Sequence, residues 1–266
     1  MSSEQHFSPS SDVLPLAGYP VQCMRTGSLA DRLLADHKAG QQRVLFFVNT
    51  NFVVQCESLK PALRHPDVIL VNDGIGMDIG GMLIHRRRFP ENLNGTDFVP
   101  YLLKEPLRRG APSLRVFLLG AGPGIAKRAA GALEAEGIVV AGHRDGFSEM
   151  ADTDAVIADV NQSAADVVLV AMGNPRQENW ILQNRARLNC STLIGVGALF
   201  DFMAGDKPRA PAIVQRLKLE WLYRLSLEPR RLMKRYTVDI VRFLVRCMKA
   251  GKECAAYRYQ QPGQVD

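Results

Sequence analysis

Three short stretches of this chain carry groups that can do chemistry next to small or glycine residues. Residues 69–81, ILVNDGIGMDIGG, run an apolar strand into one carboxylate, Asp73, and then into Gly74 and Gly76. Residues 49–51, NTN, follow the apolar run RVLFFV and offer Asn49, Thr50 and Asn51. Residues 173–180, GNPRQENW, offer Asn174 and Gln177 after another apolar run. A carboxylate against an apolar strand end is partly desolvated, which makes it more basic. Asp73 is therefore a candidate to take a proton from an attacking hydroxyl. The plain alternative is a helix cap, a common use of aspartate just after a strand. Asp78, further into the following turn, is read as structural, and the two glycines as room for a substrate.

The other polar motifs divide between structure and binding. GAGPG at 120–124 follows a strand and opens a helix, a turn where Gly120 and Gly122 let backbone approach a phosphate. A dinucleotide site would add a third glycine one helical turn on and an acid about twenty residues later. Here the spacing is GxGxG, and the strand 138–142 ends in Gly142, His143 and Arg144 with no acid at its tip. DTD at 152–154 resembles a divalent-metal pair but directly precedes a helical run, so capping is the better account. In GNPRQENW, Asn174 can cap, Pro175 suits a first helical turn and Glu178 can support the cap. Gln177 is left over, an amide able to read a base or a sugar hydroxyl. NLNGTDF at 92–98, with Asn94, reads as a turn with Thr or Asp capping the next helix.

These groups need a frame that brings them to one edge. From residue 43 onward, nearly continuous apolar runs at 43–48, 67–70, 114–120, 138–142, 166–170 and 191–197 predict strands covered on both faces. Helical patterns at 124–136 and 153–163 lie between them. Strand–helix alternation predicts an α/β fold: a Rossmann-like parallel sheet with helices on both faces. Ligands of such sheets sit beyond the carboxyl ends of the strands, where Asp73 and the polar loops all fall.

After AGDKPRAP (204–211) the pattern changes to two basic helical stretches, about 212–227 and 230–250, separated by EPRR. Ile213, Leu217, Trp221, Leu222 and Leu225 form an apolar stripe in the first. Met233, Ile240, Phe243, Leu244 and Met248 form one in the second. The segment 207–252 holds thirteen Lys/Arg against three Asp/Glu, so the net +6 of the chain is +10 here and −4 elsewhere. Such a segment wants an anionic partner. The predicted layout is an α/β domain over 1–206, a basic amphipathic helical appendage over 207–250, and a disordered tail over 251–266.

Composition excludes several classes. With 47% hydrophobic residues and 23% charged, the chain can build a full core. The polar start lacks the order of a signal peptide, and no run approaches the ~18 apolar residues of a spanning helix. Five scattered cysteines and five scattered histidines give neither a disulfide framework nor a metal-ligand spacing, so no metal or cofactor is expected. An NAD-dependent oxidoreductase is disfavoured by the glycine spacing. A non-catalytic nucleic-acid-binding module would use the +10 segment, but its apolar stripes suit lipid better and no nucleic acid is expected.

The ordered set NDGIGM (72–77), NGTD (94–97), GAGPG (120–124), GNPRQE (173–178), GVGALFDFMAGDKPRAP (195–211) and EWLYRLSLEPRRLMKRY (220–236) resembles the WecG/TagA/CpsF glycosyltransferase family. The resemblance covers roughly residues 43–240. It implies an inverting, metal-independent enzyme without a cofactor. Such an enzyme moves a sugar from a UDP-sugar donor to a polyprenyl-diphosphate-linked saccharide, peripherally at the cytoplasmic face of the inner membrane. Its anionic surface would meet the appendage, and a homo-oligomer stays open. Residue by residue, the resemblance assigns Asp73 as the general base. Gln177, Asp201 and the appendage arginines Arg224 and Arg231 fall on substrate-binding positions, with Asn49 or Thr50 and then Asn51 as polar partners. Members that transfer N-acetylmannosamine carry Arg where this chain has Asn92, so the exopolysaccharide branch and a hexose, glucose, are favoured, with N-acetylmannosaminyl transfer the alternative. UDP would leave as an anion met by backbone N–H groups and arginines. Arg224 and Arg231 are two helical turns apart, with Pro229 expected to break the helix between them.

Overall fold

A computed structural model describes residues 13–146, 148–211, 214, 220–227 and 229–259. The backbones of Arg224 and Arg231 are among them, but their side chains lie outside the described set, as do those of Trp221 and of 251–259. Ile213 and Leu217 lie outside the described residues altogether.

The expected alternation is present. β3 (Arg43–Val48), α2 (Thr50–Gln55), α3 (Lys60–Leu63) and β4 (Val68–Asn72) are followed by α4 (Ile75–His85) and α5 (Gly95–Arg108). Then come β5 (Arg115–Gly120), α6 (Ile125–Ala135), β6 (Val139–Arg144), α7 (Thr153–Gln162), β7 (Val167–Ala171), α8 (Arg176–Asn184), β8 (Thr192–Gly195) and α9 (Leu199–Met203). Ahead of these stand β1 (Val13–Leu16), β2 (Tyr19–Gln22) and α1 (Thr26–Lys38), which the apolar runs from residue 43 onward do not announce. β1 and β2 form a short antiparallel hairpin, and Gln22 of β2 then pairs in parallel with Val71 of β4.

The eight strands lie in the order β1-β2-β4-β3-β8-β7-β5-β6, parallel except for the hairpin. The chain moves outward from β3 to β4, crosses to β5 on the other half, and returns through β7 to β8 beside β3. This reversal of direction at the centre opens a crevice at the carboxyl ends. Side-chain alternation along β3 builds two cores: Val44, Phe46 and Val48 on one face, Leu45 and Phe47 on the other. That is why the strand reads as continuously apolar.

α4 departs from expectation. Glycine-rich GIGMDIGG disfavours helix by propensity, and the sequence suggests a turn. Tertiary packing overrides propensity here, because two of its glycines meet neighbours that leave no room for a side chain. A Cβ at Gly80 would lie 2.7 Å from Cζ of Phe243, and one at Gly81 would lie 2.7 Å from the carbonyl oxygen of Arg87.

The basic segment ends in α10 (Glu220–Leu227) and α11 (Pro229–Tyr259), the latter running nine residues past the expected 250. Pro229 stands at the first position of α11, where its missing N–H is no loss, and Arg224 and Arg231 stand on different helices. α11 completes one core: Phe243 and Cys247 are 1% and 2% exposed. Arg246 donates to the carbonyl of Val53 at 2.6 Å and pairs with Glu57 at 2.9 Å. The expected stripe is therefore corrected. Phe243, Ile240 and Leu244 turn toward the sheet domain, whereas Met233 and Met248 are exposed. The outer face of α11 is also more apolar than expected, since Val238, Val241 and Val245 lie on it. Among the described residues no helix is long and apolar enough to cross a membrane.

Candidate functional site

A cleft of about 1070 Å³ opens at the carboxyl edge between the two halves of the sheet. Asp73, the residue after β4, lies on its wall. Its N–H donates to the carbonyl of Val48 at 2.8 Å, which ties the ends of β3 and β4 together. The cap alternative fails for Asp73: the N-cap of α4 is Gly74, without a side-chain cap bond. Instead the carboxylate Oδ2 of Asp73 accepts from Nδ2 of Asn49 at 3.1 Å. The same Asn49 caps α2, its Oδ1 accepting from the N–H of Phe52 at 3.0 Å. One amide thus fixes a helix start and orients the carboxylate.

The neighbouring polar groups have distinct jobs. Thr50 is nearly buried, and its methyl fills the space over Gly76, where a Cβ would lie 2.5 Å from Cγ2. Gly76 lines the cleft, and its missing side chain also makes room for Thr50. Gly74 does face open space, since a Cβ at this position would meet nothing within 4 Å. Its N–H donates to Oδ1 of Asn92 at 2.6 Å, so Asn92 holds the backbone beside Asp73. Asn51 lines the cleft from the first turn of α2. Asn94 also lines it, and it, rather than Thr96 or Asp97, is the cap of α5: its Oδ1 accepts from the N–H of Asp97 at 2.9 Å. Asp78 keeps its structural role, accepting from the N–H of Phe89 at 3.3 Å.

Gln177 is buried at 4% exposure, and its amide is used internally. Nε2 donates to Oε1 of Glu178 at 2.8 Å and approaches Oδ1 of Asn174 at 3.4 Å, while Oε1 accepts from the N–H of Gly197 at 3.0 Å. It braces the β8–α9 loop against α8 and, though buried, lines the floor of the cleft. Glu178, fully buried, does not support a cap at all. Desolvation holds its carboxyl above the ordinary range, against the smaller opposing effect of its hydrogen bonds. The Cys56 thiol beside it is pushed up by the same cause. Asn174 lines the cleft but does not cap α8, whose N-cap position is Pro175.

The glycine turn at 120–124 is the clearest correction. Gly120 lies at φ +109 and packs on β7: a Cβ there would be 2.5 Å from the carbonyl oxygen of Ala171. It serves the sheet and does not line the cleft, though Gly122 does. The sequence puts no acid at the tip of the sixth strand, but β6 extends to Arg144 and Asp145 follows it. The Asp145 carboxylate turns back and accepts from the N–H of Gly124 at 2.7 Å. The Gly124 N–H at the start of α6 is thus already taken by a carboxylate, while Ala121 and Gly122 face the cleft. DTD is a cap, with Oδ1 of Asp152 accepting from the N–H groups of Asp154 and Ala155. Among the described residues no cluster of His, Cys, Asp and Glu could hold a metal.

Asp201 lines the cleft on α9 and pairs with Lys207 at 3.4 Å. Arg128 with Asp206 at 2.8 Å, and Arg209 with Asp97, tie the same segment to α6 and α5. Two cleft cations were not anticipated: Arg176, the first residue of α8, and Lys207. Arg176 stands inside GNPRQE, and its position at a strand's carboxyl end was the available signal. Leu227 of α10 and Ile240, Phe243 and Leu244 of α11 close the cleft with an apolar wall.

A reversed-order parallel sheet with a polar, carboxylate-bearing cleft at its carboxyl edge defines the class of α/β enzymes that bind ligands at a topological switch point. Within that class, a family model described as glycosyl transferase WecG/TagA/CpsF family matches residues 14–255. The chain belongs to this family of glycosyltransferases, and the match reaches through the basic C-terminal segment.

Proposed function

We propose that this glycosyltransferase moves a hexose, glucose in the first instance, from a UDP-sugar to a polyprenyl-diphosphate-linked saccharide with inversion, and that Asp73 is the general base. The observation that supports this is the Asp73 carboxylate, held by Asn49 on the wall of a cleft large enough for a nucleotide sugar. The acceptor hydroxyl loses its proton to Asp73 as its oxygen attacks the anomeric carbon, and UDP leaves from the opposite face. The leaving diphosphate needs positive charge and N–H donors. Arg176 and Lys207 are candidates for that charge on the cleft wall, and Arg224 and Arg231 are assigned to it by family resemblance. Of the glycine turn, the Gly124 N–H is already held by Asp145, which leaves the cleft-facing backbone at Ala121 and Gly122 as the part that could meet a phosphate.

The basic, amphipathic C-terminal segment supports a peripheral site of action on an anionic membrane, where a lipid-linked acceptor resides. Asn92, standing where N-acetylmannosaminyl members of the family carry Arg, favours glucose over N-acetylmannosamine as donor sugar. The test is UDP release from UDP-glucose and UDP-N-acetylmannosamine with a polyprenyl-diphosphate-linked acceptor. Turnover with neither donor overturns the assignment; turnover with UDP-N-acetylmannosamine alone overturns the sugar.

A further inference from the structure

The apolar surface that this fold leaves uncovered is ordered. On α4, Ile75, Ile79, Met82 and Leu83 are 41–64% exposed. Their spacing of four, seven and eight residues from Ile75 puts them on one helical face. The other face buries Met77, Gly80 and Gly81. On α11, Val238, Val241, Val245 and Met248 form a second row, 39–61% exposed, opposite the buried Phe243 and Cys247. The two helices pack together where Phe243 meets Gly80. Both reach the cleft: Ile75 and Ile79 line it from α4, Ile240 and Leu244 from α11.

The charge around these rows identifies what covers them. The α4 row runs directly into three consecutive exposed arginines, Arg86, Arg87 and Arg88. Arg242 and Lys249 are exposed beside the α11 row. Of the acids on the two helices whose side chains are described, Asp78 is half-buried on the cleft wall and accepts from Phe89 N–H, and Asp239 is 5% exposed and pairs with Arg242 at 3.7 Å. A second copy on this face about a two-fold axis would bring these cations toward one another, which like charge opposes. An anionic bilayer satisfies both halves of the surface, taking the apolar rows below its headgroups and the cations among their phosphates.

We propose that α4 is a membrane-contact element of this protein, inserting Ile79, Met82 and Leu83 beside the outer row of α11 while Arg86–Arg88 meet anionic headgroups. This rests on the membrane-acting function proposed above and adds that the sheet domain itself touches lipid. Asp73 lies two residues before the first member of the row. Docking through α4 therefore brings the cleft mouth to the bilayer, and a lipid-linked diphosphate reaches it without leaving the headgroup layer.

The test uses the full chain and vesicles of phosphatidylcholine with or without phosphatidylglycerol, read by co-sedimentation. Met82 and Leu83 do not line the cleft, so Met82→Glu/Leu83→Glu is expected to weaken anionic-vesicle binding about tenfold or more. Turnover with a short-chain, water-soluble acceptor should be retained. Arg86→Glu/Arg88→Glu is expected to remove the preference for phosphatidylglycerol. Leu83→Trp reads insertion directly and needs no loss of function: its added emission should shift to the blue on vesicle addition. Wild-type binding by Met82→Glu/Leu83→Glu, or no shift from Leu83→Trp, overturns the role of α4. A dimer of the wild type that this double variant dissociates, with vesicle binding unchanged, assigns the surface to a second copy and overturns it too. Failure of turnover with every UDP-sugar instead strikes the proposed function, and the vesicle result is read separately.

Discussion

At the scale of single residues, three side chains carry sharp expectations. Asp73→Asn keeps the hydrogen-bonding shape but removes the base, so turnover should fall by about 10²–10⁴-fold in a folded protein. Circular dichroism beside UDP-release kinetics checks it, and a near-wild-type rate removes Asp73 from the role. Asn49→Ala loses the cap of α2 and the donor to Asp73 together. It should cost about 1 kcal/mol in denaturant unfolding and also lower kcat, whereas a cap alone would leave kcat unmoved. Glu178 gives a pH prediction. Its buried carboxyl is raised, so the folded state binds the proton more tightly than the unfolded state. Stability is then fully present below the ordinary value of 4.5 and falls as pH climbs above it, levelling off only beyond the raised folded value. Glu178→Gln keeps an acceptor for Gln177 and removes the titration. Its melting temperature should vary less than that of the wild type as pH rises above 4.5. Glu178→Ala leaves Gln177 without its partner and should cost about 2 kcal/mol or more. The buried cysteines, by contrast, are poor nucleophiles: burial pushes Cys190 up to about 12 and Cys247 up to about 11.

At the scale of elements, the fold depends on a few close approaches. Gly80→Val would drive a side chain into the Phe243 ring, separating α11 from α4. It should destabilise by about 1–3 kcal/mol, and the separation should appear as faster hydrogen exchange around Phe243 and Cys247 than around the central strands. The strands were legible because burial on both faces leaves a continuous apolar run: β3 matches residues 43–48 without adjustment. α6 and α7 were legible from their apolar periodicity and from the Asp152 cap. α4 was not, because its glycines are explained only by Thr50, Phe243 and the Arg87 backbone, all distant in sequence or outside the helix. The hairpin β1–β2 was missed because VLPL and YPVQ carry prolines, which are compatible with the edge of a sheet but weaken a strand signal.

At the scale of the whole molecule, charge and apolar surface are segregated. The excess positive charge of the chain collects at 207–252, while α11 uses one face to finish the core and leaves another outside. Association with anionic vesicles should therefore fall steeply as salt rises from low to physiological strength, since charge attraction is screened within about 8–10 Å. A residual apolar component should survive; binding that is insensitive to salt argues against the headgroup contact. The ties of Arg128 to Asp206 and Arg209 to Asp97 hold the connecting segment over the cleft. As exposed pairs each contributes about 0–1 kcal/mol.

Local sequence was enough for the α/β class, the carboxyl-edge location of Asp73, Asn49 and Asn174, and the positive charge excess of the C-terminal segment. These follow from local chemistry: periodicity, strand ends and net charge are properties of neighbouring residues. Only the tertiary structure decided which of those groups share a cleft and which serve the scaffold. Gly120 packs on Ala171, Gly76 on Thr50, Gln177 braces Gly197, and Asp145 takes the Gly124 N–H at the start of α6. Each of those outcomes is a contact between residues far apart in the chain, and a glycine or an amide looks the same in sequence whether its neighbour is a substrate or another strand. ILVNDGIGMDIGG is the plainest case: its apolar half announced a strand, but Asn49 across the sheet separated Asp73 the oriented carboxylate from Asp73 the cap.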